Sequence, residues 1–140
     1  MPKNSEGLRT RTIKKFVEDR EFEEVKMLEL VDRLSDYATV NKLGDVFLKK
    51  EDLTDGEKAM IVLSARFLGH YLEPESMNET ASVEDVVRYG NMDKMIANAR
   101  LAELSNEHLV DRVGKGMYRV RSAATLQKWL DGLGAKYYEK

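Results

Sequence analysis

Cysteine is absent from the 140 residues, and that removes several chemistries at once. There can be no disulfide framework, no thiolate metal site and no cysteine nucleophile. Histidine is scarce: His70 and His108 are the only two, too few for an imidazole metal cluster. No apolar run approaches the ~18 residues of a membrane span. The opening MPKNSEGLRTRTIKKF is basic but has no apolar block behind its charges, so it does not read as a secretory signal. An intracellular, cytoplasmic chain without a membrane segment is the expectation. Enzyme signatures are also missing. The chain has no HExxH, no GxxxxGK[ST] and no nucleophile elbow. Glu24-Val25-Lys26 has the spacing of some nuclease motifs but falls in a helical pattern, where residues one and two apart do not share a face. The expectation is a protein that is not an enzyme, with no catalytic residues, metal site or cofactor.

Apolar residues make up 42% of the chain and charged residues 34%, enough for one core. The formal net charge of -2 conceals a pattern. Residues 1–20 carry six Lys/Arg against three Asp/Glu, whereas residues 21–60 carry six against eleven. Residues 61–92 carry two against five, and residues 93–140 nine against six. A basic start, an acidic middle and a basic end permit contact with nucleic acid, which needs local positive charge.

Three segments follow from this pass. Residues 1–12, with Pro2, Asn4, Ser5 and Gly7, read as a flexible basic arm. Residues 13–53 read as a helical extension, with a helical pattern from Ile13 to about Val40. Ile13, Phe16 and Val17 open an apolar stripe; Val25, Leu28, Val31 and Leu34 continue it, joined by Met27, Leu30, Tyr37 and Ala38. A stripe that wide implies burial on two sides, against the body and against a second chain. Residues 54–140 read as the main domain. Thr54-Asp55-Gly56-Glu57 matches a capping box, and the helix after it places Met60, Leu63, Phe67 and Tyr71 on one face. Ser82-Val83-Glu84-Asp85 opens a short helix that stops at Gly90. Asn91 or Asp93 caps a third helix running to about Asn106, with Ala97, Leu101 and Leu104 inward. Leu109–Val113 and Met117–Arg121, separated by Gly114-Lys115-Gly116, read as a β-hairpin. A last helix starts at Ser122 or Thr125, with Leu126, Trp129, Leu130, Leu133 and Tyr137 on its apolar side.

The stretch from Ser82 through Asp93 to Leu104 resembles a helix-turn-helix, and Leu104 to Val120 resembles the passage from a recognition helix into a wing. Residues ~54–121 together resemble the winged helix-turn-helix superfamily. The fold class expected is mainly α with a small β-hairpin: a winged helix domain with an N-terminal helical extension and a C-terminal helix. The resemblance implies a DNA-binding protein, a transcriptional regulator, whose third helix enters the major groove while the wing meets phosphate. Carried onto this sequence, the wing supplies Arg112, Lys115, Gly116, Arg119 and Arg121, and the third helix supplies Lys94, Asn98 and Arg100. The partners expected are double-stranded DNA and a second copy, paired through the N-terminal and C-terminal helices. The apolar outward face of the third helix, with Met95, Ala99 and Ala102, sustains the alternative of a protein–protein interaction module within a larger assembly.

Overall fold

The computed structural model describes residues 23–138, which are mainly helical with two small antiparallel sheets. The chain opens on helix α1, described over residues 23–34, and strands β1 (Ala38–Val40) and β2 (Val46–Leu48) follow. Next come helix α2 (Asp55–Leu72), the two-residue strand β3 (Ala81–Ser82), helix α3 (Val83–Gly90) and helix α4 (Lys94–Asn106). Strands β4 (Val110–Gly114) and β5 (Met117–Val120) precede helix α5 (Ala123–Tyr137).

Helix starts follow from side chains that satisfy free backbone N–H groups. Thr54 and Glu57 form the reciprocal capping box of α2. Ser82 and Asp85 form a second box at α3. Asp93, not Asn91, caps α4, accepting from the Ile96 amide at 2.9 Å. Asn91 instead takes the left-handed C-cap of α3, with φ +51°. Ser122 caps α5.

Helix α2 is the axis of the body. Every residue from Ala59 to Ala65 is buried, so it is covered on all sides and not on one stripe. Phe67 is half-buried and Tyr71 is exposed, which corrects the single apolar face expected from their spacing. Helices α3 and α4 pack on α2, as do β1 and β5. Leu101 and Ala97 of α4, Val86 of α3, Val110 and Val120 of the hairpin, and Leu126 and Leu130 of α5 complete the core. Burying each such Leu or Val contributes about 1.5–3 kcal/mol.

The N-terminal region departs from the long helix expected over 13–40. The basic arm and Ile13, Phe16 and Val17 lie outside the described residues. Helix α1 ends near Leu34, and residues 38–48 form a β-hairpin with Ala38 paired to Leu48 and Val40 to Val46. The helix stops in a turn over residues 35–37, where the Asp36 and Tyr37 amides bond three residues back, to the Arg33 and Leu34 carbonyls. In the hairpin that follows, Asn41 Oδ1 accepts from the amides of Leu43 and Asp45, both at 3.0 Å, and Gly44 adopts φ +86°. An Asn side chain mimicking a backbone turn, followed by a residue free to go left-handed, closes the hairpin. The helical spacing expected from Val25 to Leu34 holds, and only its continuation to Val40 does not. Met27, Leu30, Leu34 and Tyr37 are buried in the chain's own body, while Val25 and Leu28 stay about half-exposed.

Helix α5 is clipped to both ends of this arrangement. Arg33 of α1 pairs with Asp131 at 2.8 Å. At the other end Glu57, with 14% of its side chain exposed, accepts from Lys136 Nζ at 2.8 Å and from the Tyr137 hydroxyl at 2.6 Å. Burial alone would raise the Glu57 pKa. The hydrogen bonds from Lys136, Tyr137 and the Thr54 amide outweigh it and hold the carboxyl below its ordinary value. The sign follows from the folded value lying under the unfolded one. The clip stabilises fully above the unfolded glutamate pKa of about 4.3 and is lost as pH falls through the depressed folded value. Urea unfolding of wild type and Glu57→Gln should therefore diverge at pH 7 and converge in acid, as the pH falls through the depressed folded value. An equal stability difference at both pH values would show that Glu57 contributes no charge-dependent stability.

Candidate nucleic-acid interface

The β4–β5 hairpin is built from β-prone residues and closed at Lys115-Gly116. Only Gly116 uses the left-handed region there, at φ +68°, so Gly114 is not needed for the turn's conformation. Val110 faces Val120, Asp111 faces Arg119 and Arg112 faces Tyr118, and the register shifts between Arg112 and Gly114. Strand β3 pairs along the other edge of β5, Ala81 with Tyr118 and Ser82 with Met117. The Gly116 carbonyl accepts from the Val83 amide at 3.0 Å, which ties the hairpin tip to the start of α3.

Helix α4 reaches this hairpin through a tight junction. His108 sits at φ +62°, and the Leu109 amide donates to the Leu104 carbonyl at 3.0 Å. Histidine tolerates this geometry better than β-branched residues do. Ala97, Leu101 and Leu104 point inward, as their spacing predicts. Met95, Asn98, Ala99 and Ala102 lie on the exposed side, Met95 with 82% exposure. No described helix or loop covers this face.

The expected site residues divide by location. Alternation along a strand sends neighbouring side chains to opposite faces of a sheet. Arg112 therefore shares a face with Tyr118, while Arg119 and Arg121 lie on the opposite face with Asp111. Arg119 is half-buried and donates to Glu79 Oε1 at 2.9 Å. Arg100 turns along its own helix to Glu103 at 3.1 Å and lies beside Gly56 of α2. Both arginines keep a buried Nε without a partner. Lys94, at the first turn of α4, is exposed and 3.6 Å from Glu84 of α3. Arg112, Lys115 and Arg121 are exposed, and no carboxylate lies within ion-pair distance of them among the described residues. Asn98 is exposed at mid-helix.

The structure thus gathers part of the expected set around the start of α3. The hairpin tip is bonded to Val83, and Lys94 reaches Glu84 one residue later. Arg119 and Arg100 are drawn into ion pairs, and Arg121 follows β5 to the far end of the hairpin, where its amide meets the Leu109 carbonyl. The acids Glu79 and Glu84 were missed as counterions. Glu79 lies 40 residues from Arg119 in sequence, and only the pairing of β3 with β5 brings them together.

No family model, curated protein or solved structure matches the chain. Among the described residues no helix is long and apolar enough to cross a membrane.

Proposed function

We propose that this chain is a DNA-binding protein of the winged helix-turn-helix type, a transcriptional regulator that meets duplex phosphates through the β4–β5 wing and the first turn of α4. The observation that carries the reading is the pair of unneutralised cations, Arg112 and Lys115, on an exposed hairpin. The uncovered helix α4 beside it supports the same reading. Lys94 supplies a third cation, partly offset by Glu84. Base contact falls to Asn98, whose amide can pair with adenine. Affinity is then mostly electrostatic, and three phosphate contacts predict a slope of log K against log salt of about −3. Between 50 and 200 mM salt the affinity of one protomer should fall about 40-fold. Fluorescence anisotropy on a labelled duplex measures this. Absence of duplex binding at 50 mM salt rejects the reading.

The half-exposed Val25 and Leu28 on α1 support pairing of two copies on paired half-sites. A second reading, a protein–protein module, is favoured by Met95, an exposed apolar side chain flanked by Ala99 and Ala102. Met95→Lys separates the two: it strengthens a DNA contact and breaks an apolar protein contact.

A further inference from the structure

A second surface feature lies toward the C-terminal end of α3. An open cleft of about 550 Å³ separates the β1–β2 hairpin from the facing sides of α2 and α3. Its volume falls within the range of ligand pockets, about 300–1,000 Å³. One wall is Phe47 of β2, 55% exposed, and Lys58 of α2, Arg88 and Tyr89 of α3 also line the cleft. An aromatic ring held out to water beside two cations is an unusual surface to leave without a partner.

Among the described residues no acid forms an ion pair with those cations, although the Arg88 charge is near enough to help hold the Asp45 carboxyl below its ordinary value. Asp45 is the nearest candidate, but Tyr89 donates to its Oδ1 at 2.7 Å and Asn41 to its Oδ2 at 3.1 Å. That pairing also fixes the Tyr89 ring. Asp52 lies 3.4 Å from Lys50, whose ammonium sits over the Tyr137 ring at 4.6 Å. Lys50 also lines the cleft, with its ammonium held between that ring and Asp52. Among the described residues Lys58 and Arg88 have no carboxylate within ion-pair distance. Glu51 is the one acid lining the cleft.

We propose that this cleft binds a nucleotide, with the base stacked on Phe47 and the phosphate held by Lys58 and Arg88. The combination selects the ligand. Cations alone would accept any anion, and an exposed phenyl ring alone any apolar group. A flat base joined to a phosphate satisfies both at once. The same chemistry is presented by a free mononucleotide and by one unit of a single strand. The cleft shares no lining residue with the proposed duplex surface: none of Lys94, Asn98, Arg112 and Lys115 lines it.

The test is titration calorimetry on the full chain with adenosine monophosphate, a five-residue thymidine oligonucleotide, inorganic phosphate and a hexaglutamate peptide. A nucleotide probe should bind. Phe47→Ala should weaken it about tenfold, the value of one stacked base. Lys58→Gln with Arg88→Gln should weaken it by at least as much. Phe47→Ala, which changes no charge, should keep wild-type duplex affinity in the salt series, which separates this site from the wing. Saturation by adenosine monophosphate assigns a free nucleotide; binding of the oligonucleotide alone assigns a strand. Three results overturn the proposal: no nucleotide binding at millimolar concentration, hexaglutamate binding as tightly as nucleotide, or a folded Phe47→Ala with unchanged affinity.

Discussion

Arg66→Ala is expected to lower the unfolding free energy by about 3–5 kcal/mol. The side chain is 12% exposed, and its guanidinium serves three separate segments. Nε donates to the Gly44 carbonyl at 2.7 Å, in the turn of the β1–β2 hairpin. One terminal nitrogen donates to the Thr80 carbonyl at 3.3 Å, just before β3. The other lies 3.5 Å from Asp85, the acid that closes the capping box of α3. The group also lies near the Tyr89 ring, at 5.7 Å from its centroid. Truncation leaves two carbonyls and a partly buried carboxylate without their cation, and it opens a gap where the stem packed. Each such loss costs about 1–3 kcal/mol.

Lysine at this position should recover less than half of the loss. An ammonium is a single point on a flexible stem, whereas the three partners of Arg66 lie in the directions of a planar fork. Urea denaturation with an unchanged m-value is the measurement. A loss below about 1 kcal/mol would show that water replaces the guanidinium at all three partners. The consequence reaches beyond stability. Asp85 and Thr80 flank β3, and β3 positions the hairpin tip through β5. A loosened Arg66 network should therefore also blur the wing.

What the sequence made legible depends on the range of the interaction. The caps at Thr54, Ser82 and Asp93 were readable because each involves residues three apart and one kind of hydrogen bond. The inward face of α4 and the apolar side of α5 were readable for the same reason, since helical period places Leu101 or Leu130 without knowledge of the rest. The β1–β2 hairpin was not. Val31, Leu34, Tyr37 and Ala38 continue a helical spacing past the turn at residues 35–37, and the hairpin turn at Asn41 carries no proline or Asn-Gly pair. Strand β3, two residues long, has no signal of its own and exists only as the partner of β5. The charge of the wing was the hardest to judge. Arg119 and Arg112 look equivalent in sequence, yet one faces Glu79 and the other has no carboxylate in ion-pair distance among the described residues. Counterions 40 residues away are set by topology.

That division gives the second large effect. Combined replacement of Lys94, Arg112 and Lys115 with alanine is expected to weaken duplex binding about 500-fold at 0.1 M salt and to flatten the salt slope to near zero. The figure is the counterion-release contribution of three contacts, about 0.9 per phosphate on a logarithmic scale. All three side chains are exposed, so the variant should unfold like wild type and the loss should be one of binding. Arg119→Ala is the contrasting case. Its guanidinium is already committed to Glu79, and its removal should change duplex affinity less than threefold. Glu84→Gln should act in the opposite direction. It frees Lys94 from an acid 3.6 Å away and removes a negative charge beside the hairpin tip, so duplex binding should tighten, by less than the about eightfold of one whole phosphate contact. The three variants together distinguish a wing that grips phosphate from a hairpin that is merely basic. Equal losses from Arg119→Ala and from Arg112→Ala would show that the contact is not confined to the Arg112 face of the sheet. A triple variant that still binds with the wild-type slope would move the phosphate contact off the wing altogether.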